Sequence, residues 1–223
     1  MEKLLTTHGI PVSPAHQDAL RAGTKSLYLE PIIDEFGTKF GVASFVIRLT
    51  RRAIYADVVT KRGHIYPGVI CPYGCIGDVL WIYEPWQVTH WDARRGEVCV
   101  RYGDGAHRWC ASPAAAIDKL AKDDAPHRAH PGVAMPIWAS RYYCNVADVQ
   151  ICPVLSLTDA DRARLGVASL AQEEDWCVSR HGDFYAWEKN PWVWIVTLDP
   201  IDPPPLSKLL TARKYRDSAR MKG

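Results

Sequence analysis

The chain reads as short apolar runs broken by turn residues. VASFVIRL (Val42–Leu49) is β-branched and aromatic and predicts a strand. SLYLEPII, starting at Ser26, alternates enough to predict another. EVCVRYGDG, RYYCNVADVQICPV and PWVWIVTLDPI predict three more, the last being the strongest strand signal in the chain. Trp192 and Trp194 stand two apart in it, on one face, and read as core. In CPYGCIGDVLWIYEPW (Cys71–Trp86), turn residues lead into the apolar run Val79–Tyr83, a turn entering a buried strand. RRAIYADVVTKRGHIYPG predicts a strand pair or an extended insertion.

Helix signals are fewer. Ser13-Pro14 predicts an N-cap and first helical position, with the helix running through Ala19, Leu20 and Ala22 and stopping at Gly23. LTDADRARLGV predicts a short helix capped by Thr158, with Asp159 and Asp161 in the first turn, where the dipole favours carboxylates. Residues 114–122 predict a third, followed by a surface loop rich in Ala, Asp, His and Pro. Strands and helices mix without a βαβ rhythm, which argues against a doubly wound parallel sheet. The expectation is an α+β domain: a curved mixed sheet or small barrel with peripheral helices, over residues 1–205 with a loop insertion near 111–134. A basic tail, 206–223, follows; from Lys208 to Lys222 it carries six basic residues against the single acid Asp217.

Composition changes this picture little. The 223 residues fit one large domain and can bury a real core. A net charge of +2 and a pI of about 8.1 neither demand nor exclude a nucleic acid. Nine Trp against four Phe supply large apolar faces that suit a core or a base-stacking pocket, the core being the default. MEKLLTTHGIPVSP lacks the apolar stretch of a signal peptide, and no run approaches a membrane span. With seven scattered Cys, the expectation is reduced thiols in a cytoplasm and no membrane partner. The pairs Cys71/Cys75 and His127/His130 imitate zinc-ligand spacing. The cysteines belong to a turn and the histidines to a polar loop, so neither a metal nor a cofactor is expected.

Four segments, in order, resemble the ASCH-domain proteins of phages and prophages, a branch of the PUA-like superfamily. They are ALRAGTKS, CPYGCIGDVLWIYEPW, MPIWASRYYCNVADV and NPWVWIVTLDPI. The resemblance implies a PUA-like fold, a small bent mixed β-barrel with helices on its openings, and a cleft facing RNA or a nucleoside. Some members of the wider family hydrolyse the acyl amide of N4-acetylcytidine with a lysine, a nearby hydroxyl and a glutamate. By that resemblance the lysine falls on Lys25 and the hydroxyl on Tyr28, with Ser26 nearer. The glutamate position falls on Leu165, which cannot shuttle a proton.

The implied ligand-binding residues are therefore Lys25, Ser26, Tyr28, Glu84, Trp138, Ser140 and Arg141. Spacing alone makes Lys25 a cation near a helix C-terminus, favoured there by ~0.3–1 kcal/mol; the resemblance makes it a charged donor to ligand. Glu84, closing the GDVLWIYE strand, reads equally as a solvated strand end or as an acceptor for a base amino group. In a hydrolase, Lys25 and Glu84 would be the catalytic pair. Arg141 suits a phosphate or a base face, while Trp138 reads first as core. The leading expectation is a binding module for RNA or a modified nucleoside, with DNA as the alternative polymer. An amidohydrolase acting on N4-acylated cytidine is the runner-up, and a protein-interaction module the third class. The sequence leaves the oligomeric state open.

Overall fold

A computed structural model of the chain describes residues 6–32, 42–50, 53–211 and 213–214. Ile33, Arg51, Arg52, the first five residues and most of the basic tail (Arg216, Asp217, Arg220, Lys222) lie outside the described residues. The protein is α+β and dominated by strands. It divides into two compact units, each assembled from separate stretches of chain.

The first unit comprises Met1–Val12, Val79–Cys144 and Ile201–Gly223. Strand β1 (Thr6–Pro11) runs parallel to β6 (Val79–Tyr83), Thr7 facing Val79 and Pro11 facing Tyr83. Gly9 faces Trp81 there, and a Cβ on Gly9 would stand 2.8 Å from the indole, so glycine is what lets the ring lie on the strand. A four-stranded antiparallel sheet in the order β10-β7-β8-β9 follows (Ala129–His130, Trp86–Asp92, Glu97–Tyr102, His107–Ala111). Val88, Val98, Val100, Tyr102, Ile117, Met135 and Ala139 form its core.

The second unit comprises Ser13–Asp78 and Asn145–Pro200. Here β2 (Leu27–Pro31) pairs antiparallel with β12 (Trp192–Ile201), Leu27 facing Thr197 and Pro31 facing Val193. A separate antiparallel meander joins β3 (Val42–Leu49), β4 (Ile54–Thr60) and β5 (Ile65–Ile70). Leu27, Leu29, Val154, Leu157, Leu165, Trp187, Val193 and Ile195 pack into one apolar cluster.

Local signals carried through to structure. Ser13 accepts from the His16 N–H and opens the helix Pro14–Arg21, and Gly23 takes φ +71° just past its end. Thr158 caps Asp159–Arg164, and Ala114–Ala121 is helical. Trp194 is buried, whereas Trp192 is half-buried, edge-on to Phe45. The helix Leu170–His181, the longest among the described residues, has no counterpart in the sequence-based expectation. Several open sheets are present, and none closes into a barrel among the described residues. Periodicity marks where strands lie, whereas closure depends on pairing between strands remote in sequence.

Candidate functional site

The sequence-derived site residues fall in both units. In the second unit, the short turn after Gly23 delivers Lys25 to a position only 1% exposed. Its Nζ donates to the Leu165 carbonyl at 2.9 Å and lies 5.8 Å from the centre of the Tyr28 ring. Position 165 thus serves Lys25 with a backbone oxygen, while the Leu165 side chain is fully buried in the apolar cluster. Gly166 takes φ +70°, and a Cβ there would sit 2.6 Å from Ala19 Cβ and 2.9 Å from Lys25 Cβ, so the two turns close on each other. Ser26 is tied to the same neighbour: its N–H donates to the Arg164 carbonyl, and Arg164 Nε donates to its Oγ at 3.1 Å.

Tyr28 belongs to a polar cluster that sequence reasoning missed. Arg180, on the Leu170–His181 helix, donates to Tyr28 Oη at 2.7 Å and to Glu30 Oε2 at 3.1 Å. Tyr73 Oη donates to the same Glu30 oxygen at 2.7 Å, and His181 Nε2 lies 3.2 Å from Oε1. Burial pushes the Glu30 carboxyl up, but His181, Arg180 and Tyr73 outweigh it and hold it below its ordinary value. Burial works against the Arg180 charge, yet Tyr28 and Glu30 keep the guanidinium more basic than usual. Nearby, His16 Nε2 lies 2.6 Å from Glu173 Oε2, both side chains being buried. The Ser13 N–H points at His16 Nδ1 (3.4 Å), so Nδ1 accepts and Nε2 carries the proton toward Glu173. Apart from His181, whose Nε2 contacts Glu30 without hydrogen-bond geometry, these groups satisfy one another.

In the first unit, Glu84 and Arg141 meet directly. Arg141 Nε donates to Glu84 Oε1 at 2.7 Å and its Nη2 to Oε2 at 2.6 Å, a bidentate fork, with Asp104 accepting at 2.9 Å. The Arg141 guanidinium also lies 4.2 Å from the centre of the Tyr102 ring. Burial disfavours its charge, but Glu84 and then Asp104 outweigh that and raise its pKa. Ser140 Oγ lies 2.8 Å from the Ile82 carbonyl and 3.0 Å from that of Tyr142, its one proton shared between them. These side chains brace the backbone around them.

Trp138 differs. It sits on a 3-10 turn, Ile137–Ala139, and lines a cavity of about 410 Å³ within the first unit. Trp86, the first residue of β7, also lines it. The β10–β7 register sets His130 opposite Trp86, and the two rings stack with centroids 4.7 Å apart and planes 21° from parallel. Ala116, Lys119, Leu120 and Asp123 line a further side, at helical i, i+3, i+4 and i+7 spacing on Ala114–Ala121 and just past its end. Arg128 also lines the cavity and lies 3.6 Å from Asp123. Partial burial, and then the Arg128 charge, lower the His130 pKa, so at neutral pH His130 stacks as an uncharged ring. Two indoles, a neutral imidazole and two exposed cations are chemistry for a flat π-system with an anionic attachment. The volume lies in the ordinary range of ligand pockets, ~300–1,000 Å³.

Sequence reasoning placed Trp138 among the ligand contacts but did not find this cavity. Trp86 entered only as the end of the Cys71–Trp86 segment, and His130 only in a zinc-like pair with His127. His127 instead sits with Nδ1 3.0 Å from the Val88 carbonyl and its ring beside Trp91. Among the described residues no cluster of three or more metal-ligating side chains occurs, and no helix is long and apolar enough to cross a membrane. Compared with known proteins, the chain matches no family model, no curated protein and no solved structure.

Proposed function

We propose that this chain is a binding module for a nucleic acid or modified nucleoside, of the ASCH type suggested by the order of its four motif segments, and that its ligand enters the cavity between Trp86 and Trp138. The observation that carries this reading is the composition of that cavity: two indoles and a neutral imidazole on its walls, with Lys119 and Arg128 beside them. A base can stack on such walls whatever its sequence, and the cations suit a phosphate. The PUA-like architecture and a cytoplasmic setting belong to the same proposal, on sequence grounds. The hydrolase reading is weaker. Lys25 spends a proton on the Leu165 carbonyl, Glu84 is bound bidentately by Arg141, and the acid at 165 is replaced by leucine. Titrating the protein with cytidine 5′-monophosphate and with short oligonucleotides, following Trp fluorescence, tests the proposal. Quenching that saturates, weakens with salt and is lost in Trp138→Ala supports it; no saturable change with any of these ligands sinks it. Release of cytidine from N4-acetylcytidine would favour the hydrolase instead.

A further inference from the structure

The cavity lined by Trp86 and Trp138 has wall residues in common with two smaller concavities in the same unit. Trp86 and His130 also line a concavity of about 190 Å³, whose other walls include Tyr102, Arg101 and Gly103. Trp138 also lines one of about 120 Å³, together with Trp109, Arg108 and Tyr143. Both are smaller than an ordinary ligand pocket of ~300–1,000 Å³, so neither reads as a complete site by itself. Each shares an aromatic wall residue with the central cavity.

We infer that these three concavities form a track for single-stranded nucleic acid that takes successive unpaired bases, rather than a pocket for a free nucleoside; this rests on the base-binding reading above. Each step pairs an aromatic face with a cation. The first has the Trp86–His130 stack and Arg101, the middle has the two indoles with Lys119 and Arg128, and the last has Trp109 and Arg108. Trp109 is 50% exposed, a large apolar face left in solvent at the end of the track. Among the described residues Asp123 is the only carboxylate lining any of the three, and it is partnered with Arg128. Arg101 donates to Gln87 Oε1, a neutral partner, and among the described residues no carboxylate pairs with it. A free nucleoside has one base and no phosphate, and would leave the outer concavities and their arginines unused. A duplex hides its base faces in the stack, so walls that offer ring faces select unpaired bases.

The test compares ligand lengths on the full chain. Affinities are measured for cytidine 5′-monophosphate, for oligouridylates and oligodeoxythymidylates of three and six residues, and for a duplex of matched sequence. The expected result is single-strand binding at least about tenfold tighter for the trimer than for the monophosphate, because each added base gains a stacking wall and a cation. Either sugar supports the track, and the difference between the two series reads any contact to the 2′-hydroxyl. Trp109→Ala, on the surface, should lower the trimer-to-monophosphate affinity ratio about fivefold or more. Arg101→Gln and Arg108→Gln should each flatten the salt dependence of hexamer binding by about 0.7 in logarithmic slope. Equal affinity for monophosphate, trimer and hexamer, with Trp138→Ala weakening all alike, would overturn the track while leaving the base pocket standing. Preference for the duplex would overturn it too. Absence of binding to every probe would remove both this inference and the proposed function.

Discussion

Two regions of this protein are rich in polar and aromatic side chains, yet they differ in what their charges do. Around Glu30 in the second unit, Arg180, Tyr73 and His181 converge on one carboxylate, and His16 and Glu173 answer each other nearby. In the first unit, Lys119 and Arg128 stand exposed beside the walls of an aromatic cavity. Charged groups that saturate one another hold a fold together, whereas exposed cations beside the aromatic walls of a cavity, Arg128 with only a 3.6 Å contact to Asp123, are poised for something outside the chain. The Glu84–Arg141–Asp104 network shows that the division is not between units, because it is a self-satisfied set beside the cavity's own elements.

The sharpest way to break the comparison is to unpair a buried set. Arg141→Leu leaves Glu84 buried and charged without its fork, and should cost about 3–5 kcal/mol of unfolding free energy, measured by urea denaturation. A loss under about 1 kcal/mol would mean that Arg141 is not structural and return it to the ligand contacts. Next in size, Trp138→Ala should weaken oligonucleotide binding by about 1–3 kcal/mol at unchanged ionic strength, read by fluorescence titration. Lys25→Met removes the donor to the Leu165 carbonyl and should cost about 1–3 kcal/mol of stability. Equal losses of ligand affinity in Lys25→Met and Trp138→Ala would erase the distinction drawn here. The smallest effect is on pH. Glu30 ionises more readily folded than unfolded, so its contribution is fully present above the ordinary carboxylate value near 4.5. It is lost as the pH falls through the lower, folded value. Thermal melts taken downward from pH 5 should therefore decline less steeply in Glu30→Gln than in the native chain, and parallel declines would remove Glu30 from the acid response.

How much of this was legible depends on range along the chain. Caps are local, so Ser13 and Thr158 announced their helices, and the runs at Val42 and Trp192 announced their strands. The Leu170–His181 helix escaped because QEEDWCVSRH has a broken apolar stripe; its buried positions include the polar Glu173, whose partner His16 lies far back in the chain. The cavity escaped for a similar reason. Trp86 and His130 meet through the β10–β7 register, and nothing in either local sequence states that pairing. The signal that could have pointed to it is the helical spacing of Ala116, Lys119 and Leu120, with Asp123 just past the helix end, where a docked helix would be apolar throughout.

Position 165 has two duties that mutation touches separately. Its oxygen serves Lys25 whatever the side chain, while its side chain must fit an apolar cluster, and Gly166 next to it has no room for a Cβ. A descendant of this chain can trade leucine for methionine or isoleucine there and keep the lysine anchored. Acquiring an acid would require the surrounding cluster to be rebuilt first, so single-step evolution toward proton-transfer chemistry at this turn is closed off.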